Sequence, residues 1–269
     1  MTSSKFKRAS AFFLLVCICG SFFCIRTDAS DMRMSWYCKR NKDHTQPTLD
    51  TNMAYIEQHN AFYVDRAHDH TNEDKVIYLT FDAGYENGNV AKILDVLKAE
   101  NVKASFFILE NLIRKNTDLV IRMGSEGHTV CNHTATHKDM SRVTDKEIFK
   151  EELEKLERTY REYTGREIAK IYRPPEGRFS EESLRFADEL GYKTVFWSFA
   201  YADWDNAHQM SIAAAKKKIL DNVHNGEIML LHPTSSTNAA ILGDVIRELK
   251  MQGYRFSTLD ALGKKEGEL

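Results

Sequence analysis

Residues 80–88 read Thr-Phe-Asp-Ala-Gly-Tyr-Glu-Asn-Gly and follow the apolar run Val76-Ile77-Tyr78-Leu79; further along comes His133-Thr-Ala-Thr-His137. A carboxylate at the end of a buried strand, together with two histidines four apart, is a minimal set for metal-assisted hydrolysis. On a helical turn that spacing points both imidazoles the same way. Two neutral imidazoles also leave coordination positions open for water and substrate. A bare HxxxH is more often a pair of polar residues on an exposed turn. Here the pair follows a buried strand directly and sits beside Asn132 and Thr134, which favours ligation of a divalent metal. Asp82 is suited to draw a proton from an attacking water. As an idle turn residue it would be a charge misplaced at the end of a buried strand. Beside it, where a third ligand could sit, is Ala83.

Three further groups carry polar chemistry. Arg173-Pro174-Pro175-Glu176-Gly177 is a rigid turn, since two prolines fix φ and Gly177 relieves the bend. Arg173 in that turn could pair with Asp82 and keep it ionised. Backbone N–H groups after the prolines could meet a developing oxyanion. Asp203-Trp204 and Leu231-His232 form the other pair of sites. Asp203 could hold the His232 imidazolium, raise its pKa and prepare it to protonate a leaving amine. His128, His208, His224 and the N-terminal histidines lack such settings and read as surface residues.

These side chains need a scaffold that brings them together. Short strand signals at Val76–Phe81, Ala104–Ile108, Thr129–Asn132, Ile171-Tyr172, Lys193–Trp197, Glu227–Leu231 and Arg255–Ser257 alternate with helical ones. Helices are expected at Val90–Ala99, Leu119–Ser125, Lys146–Tyr163, Glu182–Leu190, Ser211–Val223 and Ala239–Gln252. Thr144 with Glu147 reads as a capping box, and Gly165 as the end of that helix. Repeated βα units imply a mostly parallel sheet with right-handed crossovers, closing into an incomplete barrel. Asp82, His133, Arg173, Asp203 and His232 then all fall at or just after strand C-termini, the face where such barrels build their sites.

The 269 residues are 42% apolar with a net charge of −2. A sizeable core can form, and there is no electrostatic footprint for nucleic acid. Lys216-Lys217-Lys218 reads as a solvated helix face. Lys5, Lys7 and Arg8 precede an apolar stretch from Ala11 to Ile25, and Thr27-Asp28-Ala29 offers small residues for cleavage. Residues 1–29 therefore read as a signal peptide or a retained membrane anchor, and the protein as exported. Residues 30–74 read as an arm in which Trp36, Tyr37, Phe62 and Tyr63 could anchor onto the domain. Outside the leader only Cys38 and Cys131 remain, too few for a disulfide framework.

Thr80-Phe81-Asp82-x-Gly84, His133-x-x-x-His137, Arg173-Pro174-Pro175, Asp203-Trp204 and Leu231-His232-x-Thr234 resemble the ordered motifs of the polysaccharide deacetylases, the NodB-homology family. The resemblance implies an α/β fold, a deformed (β/α)7 barrel, over residues 75–265. It implies a divalent metal, often zinc, held by His133 and His137. It makes Asp82 the catalytic base, Arg173 its positioning partner, His232 the acid and Asp203 the carboxylate that tunes it. Tyr85, Glu86, Asn87, Pro174, Pro175, Glu176, Trp204 and Leu231 become the substrate-binding residues. The usual motif has a metal-binding aspartate where this chain has Ala83, which we read as leaving room for an anionic substrate group. Gly84-Tyr-Glu-Asn-Gly88 and Arg173-Pro-Pro-Glu-Gly-Arg-Phe-Ser180 look most like the muramic δ-lactam-type deacetylases of spore-forming bacteria. That subgroup implies metal-dependent deacetylation of N-acetylmuramic acid in peptidoglycan glycan strands, after peptide removal by an amidase. It implies action in the cell wall, at the extracytoplasmic membrane face or in the developing spore envelope, leading to the δ-lactam of spore cortex. The alternatives are a deacetylase of N-acetylglucosamine polymers and a catalytically inactive wall-binding protein.

Overall fold

The computed structural model describes residues 32–262, so the segment read as a leader lies outside the described residues. After β1 (Met34–Ser35), a 3-10 helix (Thr51–His59) and β2 (Ala61–Phe62), the chain enters β3 (Lys75–Ala83) and alternates. There follow α1 (Val90–Ala99), β4 (Ser105–Ile108), α2 (Glu110–Lys115), α3 (Thr117–Ser125), β5 (Thr129–Asn132), α4 (Lys146–Thr164) and β6 (Ala169–Tyr172). The chain then forms β7 (Arg178–Phe179), α5 (Glu181–Glu189), β8 (Lys193–Val195), α6 (Ile212–Asn222), β9 (Glu227–Leu231), α7 (Ser236–Met251) and β10 (Tyr254–Ser257).

The main sheet runs β10-β3-β4-β5-β6-β8-β2, with β9 also on β3, and its pairs are parallel. Beyond β8 the chain runs on to Phe199, which bridges Met229 in parallel. That bridge curls the sheet back to β9 and gives a deformed barrel. β3 reads as one apolar run because both its faces are covered. Ile77, Leu79 and Phe81 pack in the layer under the helices, with Leu94, Leu97, Ile241 and Val245. Val76 and Tyr78 alternate to the other face, with Phe107, Cys131, Ile171, Val195 and Ile228.

The expected strands all form, although β8 stops two residues short of Trp197. Helix α4 departs from expectation at its cap. Asp145, not Thr144, is the N-cap, and its carboxylate accepts from the Glu147 and Ile148 N–H groups at 2.8 and 3.2 Å. Aspartate caps at least as well as threonine, and the helix still begins at Lys146 as expected. Gly165 closes it with φ 68°.

Residues 32–64 fold against the barrel. Trp36, Met53, Ile56, Tyr63 and Val64 are buried with Phe179, Leu184 and Phe196, and β1 pairs antiparallel with β7. Phe62 is half-buried and Tyr37 is exposed, so Tyr37 is not an anchor. At the strand N-termini a polar floor locks this segment down. Asp65 Oδ2 accepts from Tyr78 Oη at 2.5 Å and lies 2.8 Å from His68 Nδ1, while His68 Nε2 lies 3.1 Å from Asp74. Asn225 Nδ2 donates to the carbonyls of Asp69, Asn72 and Asp74. Gly226 beside it has φ +70°, and a Cβ there would come within 2.4 Å of the Asp65 carbonyl oxygen. Only glycine fits that approach.

His68, His128 and His224 are buried, contrary to their reading as surface residues. Each has found local partners: His128 Nδ1 accepts from the Ala104 N–H at 3.2 Å, and His224 Nε2 lies 3.0 Å from Ser198 Oγ. Burial pushes both of these imidazoles down to about 4. Cys38 and Cys131 are both free thiols. Among the described residues no helix is long and apolar enough to cross a membrane.

Candidate active site

Asp82 is the penultimate residue of β3, and Arg173 directly follows β6. The Arg173 guanidinium is fully buried, and its Nη1 donates to Asp82 Oδ1 at 2.7 Å. Its other donors are fixed as well: Nε to the Val195 carbonyl at 3.0 Å and Nη2 to the Phe196 carbonyl at 3.2 Å. Its flat face lies 4.0 Å from the Phe107 ring centroid. A planar fork held on four sides has one orientation, and that orientation presents a cation to Asp82.

His133 follows β5, buried. Its Nδ1 lies 2.9 Å from the Arg173 carbonyl oxygen, so Nδ1 is the donor and Nε2 is left free. That Nε2 faces Asp82 Oδ2 at 3.6 Å. His137 is exposed on the rim, with its ring centroid 5.0 Å from that of His133. The segment between them is not helical: Thr134 and His137 have φ of 71° and 61°. Two left-handed residues fold the loop back on itself and bring the rings together by a different route. Asn132 Oδ1 accepts from the Thr134 N–H at 2.8 Å, and Thr134 Oγ1 from the His137 N–H at 2.9 Å.

Across the rim, Asp203 is buried and grips His232 twice. Its Oδ1 lies 2.7 Å from His232 Nδ1, and its Oδ2 accepts the His232 backbone N–H at 2.8 Å. A residue that sequence reasoning passed over completes this pair. Asn238, buried in the first turn of α7, donates to Asp203 Oδ2 at 2.6 Å and to the His232 carbonyl at 3.2 Å. The Tyr201 hydroxyl donates to the Asn238 side-chain oxygen. The one available signal was an amide three residues after the helix cap Ser235, which reads as ordinary capping.

The charges follow from these contacts. Burial opposes ionisation of Asp82, but the Arg173 guanidinium, then His133 and His232, outweigh it and hold the carboxyl below its usual range. Burial pushes His133 down to about 4, against the pull of Asp82, so the imidazole is neutral near pH 7. Burial alone would depress His232; the hydrogen bond and charge of Asp203 more than offset it, and its pKa lies above the ordinary histidine value. One face of the barrel thus carries an ionised carboxylate beside a neutral imidazole, opposite an imidazole whose hold on its proton Asp203 strengthens. Pairs of titratable groups driven apart in this way divide base from acid.

Residues 69–195 match the polysaccharide deacetylase family. The peptidoglycan-N-acetylmuramic acid deacetylase PdaA of Bacillus subtilis is 38% identical over 230 residues, 85% of each chain. The chain belongs to the polysaccharide deacetylase family. It is a hydrolase of an amide carbon–nitrogen bond. The solved structure of B. subtilis PdaA, described as a family 4 carbohydrate esterase, superposes with a TM-score of 0.80 at 37% identity, covering 86% of this chain and 97% of that one. The peptidoglycan-N-acetylglucosamine deacetylase PgdA of Listeria monocytogenes is 34% identical over 189 residues, 70% of this chain and 39% of its own length.

Polysaccharide deacetylases of the usual pattern would place a second aspartate at position 83. Ala83 is fully buried in the apolar layer with Phe81, Ile108 and Leu112. It offers no surface to a substrate, so it does not leave room for one as the sequence suggested. Among the described residues, no three His, Cys, Asp or Glu side chains form a metal-holding group. The neutral His133, with its free Nε2 and its Nδ1 anchored on a carbonyl, nonetheless fits a divalent metal, and His137 is the second imidazole within reach.

The remaining rim residues divide into two sets. Tyr85, Glu176 and Trp204 are exposed; Glu176 has φ 55°, and Tyr85 Oη accepts from Asn206 Nδ2 at 2.9 Å. Glu86 instead caps α1, its two oxygens accepting from the Gly88 and Val90 N–H groups at 2.8 and 2.9 Å. Asn87 Nδ2 donates to the Thr234 carbonyl at 2.8 Å, tying the β3 loop to the His232 loop. Pro174, Pro175 and Leu231 are buried, so they shape the site from behind instead of lining it.

Proposed function

We propose that this chain removes the acetyl group from N-acetylmuramic acid in peptidoglycan, on the way to the muramic δ-lactam of spore cortex. The observation that carries the chemistry is the pairing of Arg173–Asp82 on one side of the rim with Asp203–His232 on the other. Asp82 draws a proton from water as its oxygen attacks the acetamide carbonyl. His232 supplies the acid: it donates its proton to the nitrogen as the carbon–nitrogen bond breaks. The products are acetate and a free amine. In the Arg173–Gly177 turn the Arg173 and Gly177 N–H groups donate to the Asn132 and Pro174 carbonyls and the prolines have none, so the turn offers the oxyanion the Glu176 N–H alone. His133 and His137 are the residues that would hold a divalent metal, zinc by the usual preference of imidazole ligands, and its Lewis acidity would polarise the acetyl carbonyl. In muramic acid the freed nitrogen lies near the lactyl carboxyl, within reach of a six-membered lactam.

In this reading the substrate is glycan already stripped of its peptides by an amidase. The protein works outside the cytoplasm, in the wall or the spore envelope, with residues 1–29 as signal or anchor. Acetate release from peptide-free strands, with mass analysis of the sugars, tests the reading. Muramic acid should lose its acetyl while N-acetylglucosamine keeps it. The likeness to PgdA supports the second reading, an N-acetylglucosamine deacetylase, and the reverse sugar pattern would establish it. No acetate at all would leave only a wall-binding protein.

Two further outcomes are expected. Asp203→Asn removes the carboxylate that raises His232, so the basic limb of the pH–rate profile should move to lower pH. An unmoved limb would separate Asp203 from the acid. Ala83→Asp buries a carboxylate in an apolar layer and should cost about 3–5 kcal/mol in the presence of a chelator. Divalent metal should recover part of that loss in a thermal unfolding experiment. Absence of any recovery would mean that position 83 does not face the metal.

A further inference from the structure

The stretch that matches the family begins at residue 69, and the segment before it carries none of the motif residues. Yet Trp36, 6% exposed, touches both walls of the Arg173 cradle. Its indole N–H donates to the Trp197 carbonyl at 2.9 Å, and its ring stacks on Phe196 with centroids 4.6 Å apart and planes at 21°. Its backbone N–H donates to the Gly177 carbonyl at 2.8 Å. The Val195–Trp197 segment supplies the two carbonyls that fix the Arg173 guanidinium, and Gly177 ends the turn that begins at Arg173. The fit is close: a Cβ on Gly177, which has φ +65°, would come within 2.8 Å of the Trp197 ring and 3.0 Å of Trp36 Cβ.

We propose that Trp36 is a positioning residue for the reaction, acting through Arg173 on Asp82. One residue ties the segment that aims the guanidinium, through its indole, to the turn that carries it, through its backbone N–H. The antiparallel pairing of β1 with β7 holds Trp36 at that junction. Without the indole bond the Phe196 and Val195 carbonyls lose their brace, and the guanidinium tilts away from Asp82 Oδ1. A misplacement of ~1 Å at a catalytic group can cost up to ~10²-fold in rate. Through Trp36 alone, the segment before residue 69 thus supports the catalytic arginine and is not only a tether.

The inference rests on Arg173–Asp82 being the working pair, and the experiment separates the two. Trp36→Phe keeps a ring to stack on Phe196 but has no N–H for the Trp197 carbonyl. With acetate release from peptide-free peptidoglycan strands as the readout, kcat per folded protein should fall about 10-fold while KM stays within about twofold. Arg173→Lys should lower kcat by itself. In the double variant the two losses should not multiply, because both act at one place. Ile56→Val loosens the same apolar cluster without touching the cradle and should lower the melting temperature with kcat unchanged. A normal kcat in Trp36→Phe, fully multiplicative losses, or an equal loss in Ile56→Val would each overturn the positioning role. Full activity in Arg173→Lys would instead overturn the catalytic reading beneath it.

Discussion

Replacing Asp82 with asparagine is expected to lower kcat by about 10²- to 10⁴-fold, the usual contribution of a positioned general base. The amide is nearly isosteric and keeps an oxygen for Arg173 Nη1, but it cannot accept a proton from water. The buried guanidinium loses its countercharge, and breaking such a pair costs on the order of 3–5 kcal/mol. Arg173 keeps the Val195 and Phe196 carbonyls and the Phe107 face, so the protein should still fold. The assay therefore belongs well below the melting temperature, with circular dichroism reporting the folded fraction. Near-normal acetate release from the folded variant would remove Asp82 from the mechanism.

The second large effect is at the opposite side of the rim. His232→Ala should lower kcat by about 10²-fold or more and change KM little, because its proton is delivered only as the bond breaks. Asp203 loses one partner but keeps the backbone N–H of residue 232 and the Asn238 amide, so the loop stays in place. A variant with raised KM and intact kcat would make His232 a substrate contact and leave the acid unidentified.

The parallel strands were legible because each is a short apolar run between turn signals, and a covered parallel sheet requires such runs. The positions of Asp82, Arg173, Asp203 and His232 followed from counting where those runs end. The Arg173–Asp82 and Asp203–His232 contacts fit the resemblance to the family. The histidine loop was not legible in its geometry, since positive φ at Thr134 and His137 goes with the Asn132 and Thr134 side-chain bonds to the loop backbone and is not called for by residue type. His128 and His224 were misjudged because their partners, Ala104 and Ser198, are distant in sequence, and His68 because nothing in its local sequence marks the floor it joins. β1, β2 and β7 are two residues long and leave no periodic trace. Ala83 was read by its neighbour's chemistry, whereas its own side chain is fully buried in the apolar cluster with Phe81 and Ile108.

β3 carries the base, yet its neighbours come from distant parts of the chain. Its first residues pair with β10, Val76 with Arg255, and its middle with β9, Leu79 with Met229. Loop-closure entropy must be overcome before such contacts give anything back, so this strand finds its place late. A chain cut short of Tyr254 would leave the start of β3 with an open edge. Such a fragment should be quickly degraded by proteases and prone to aggregate, while still containing every motif residue.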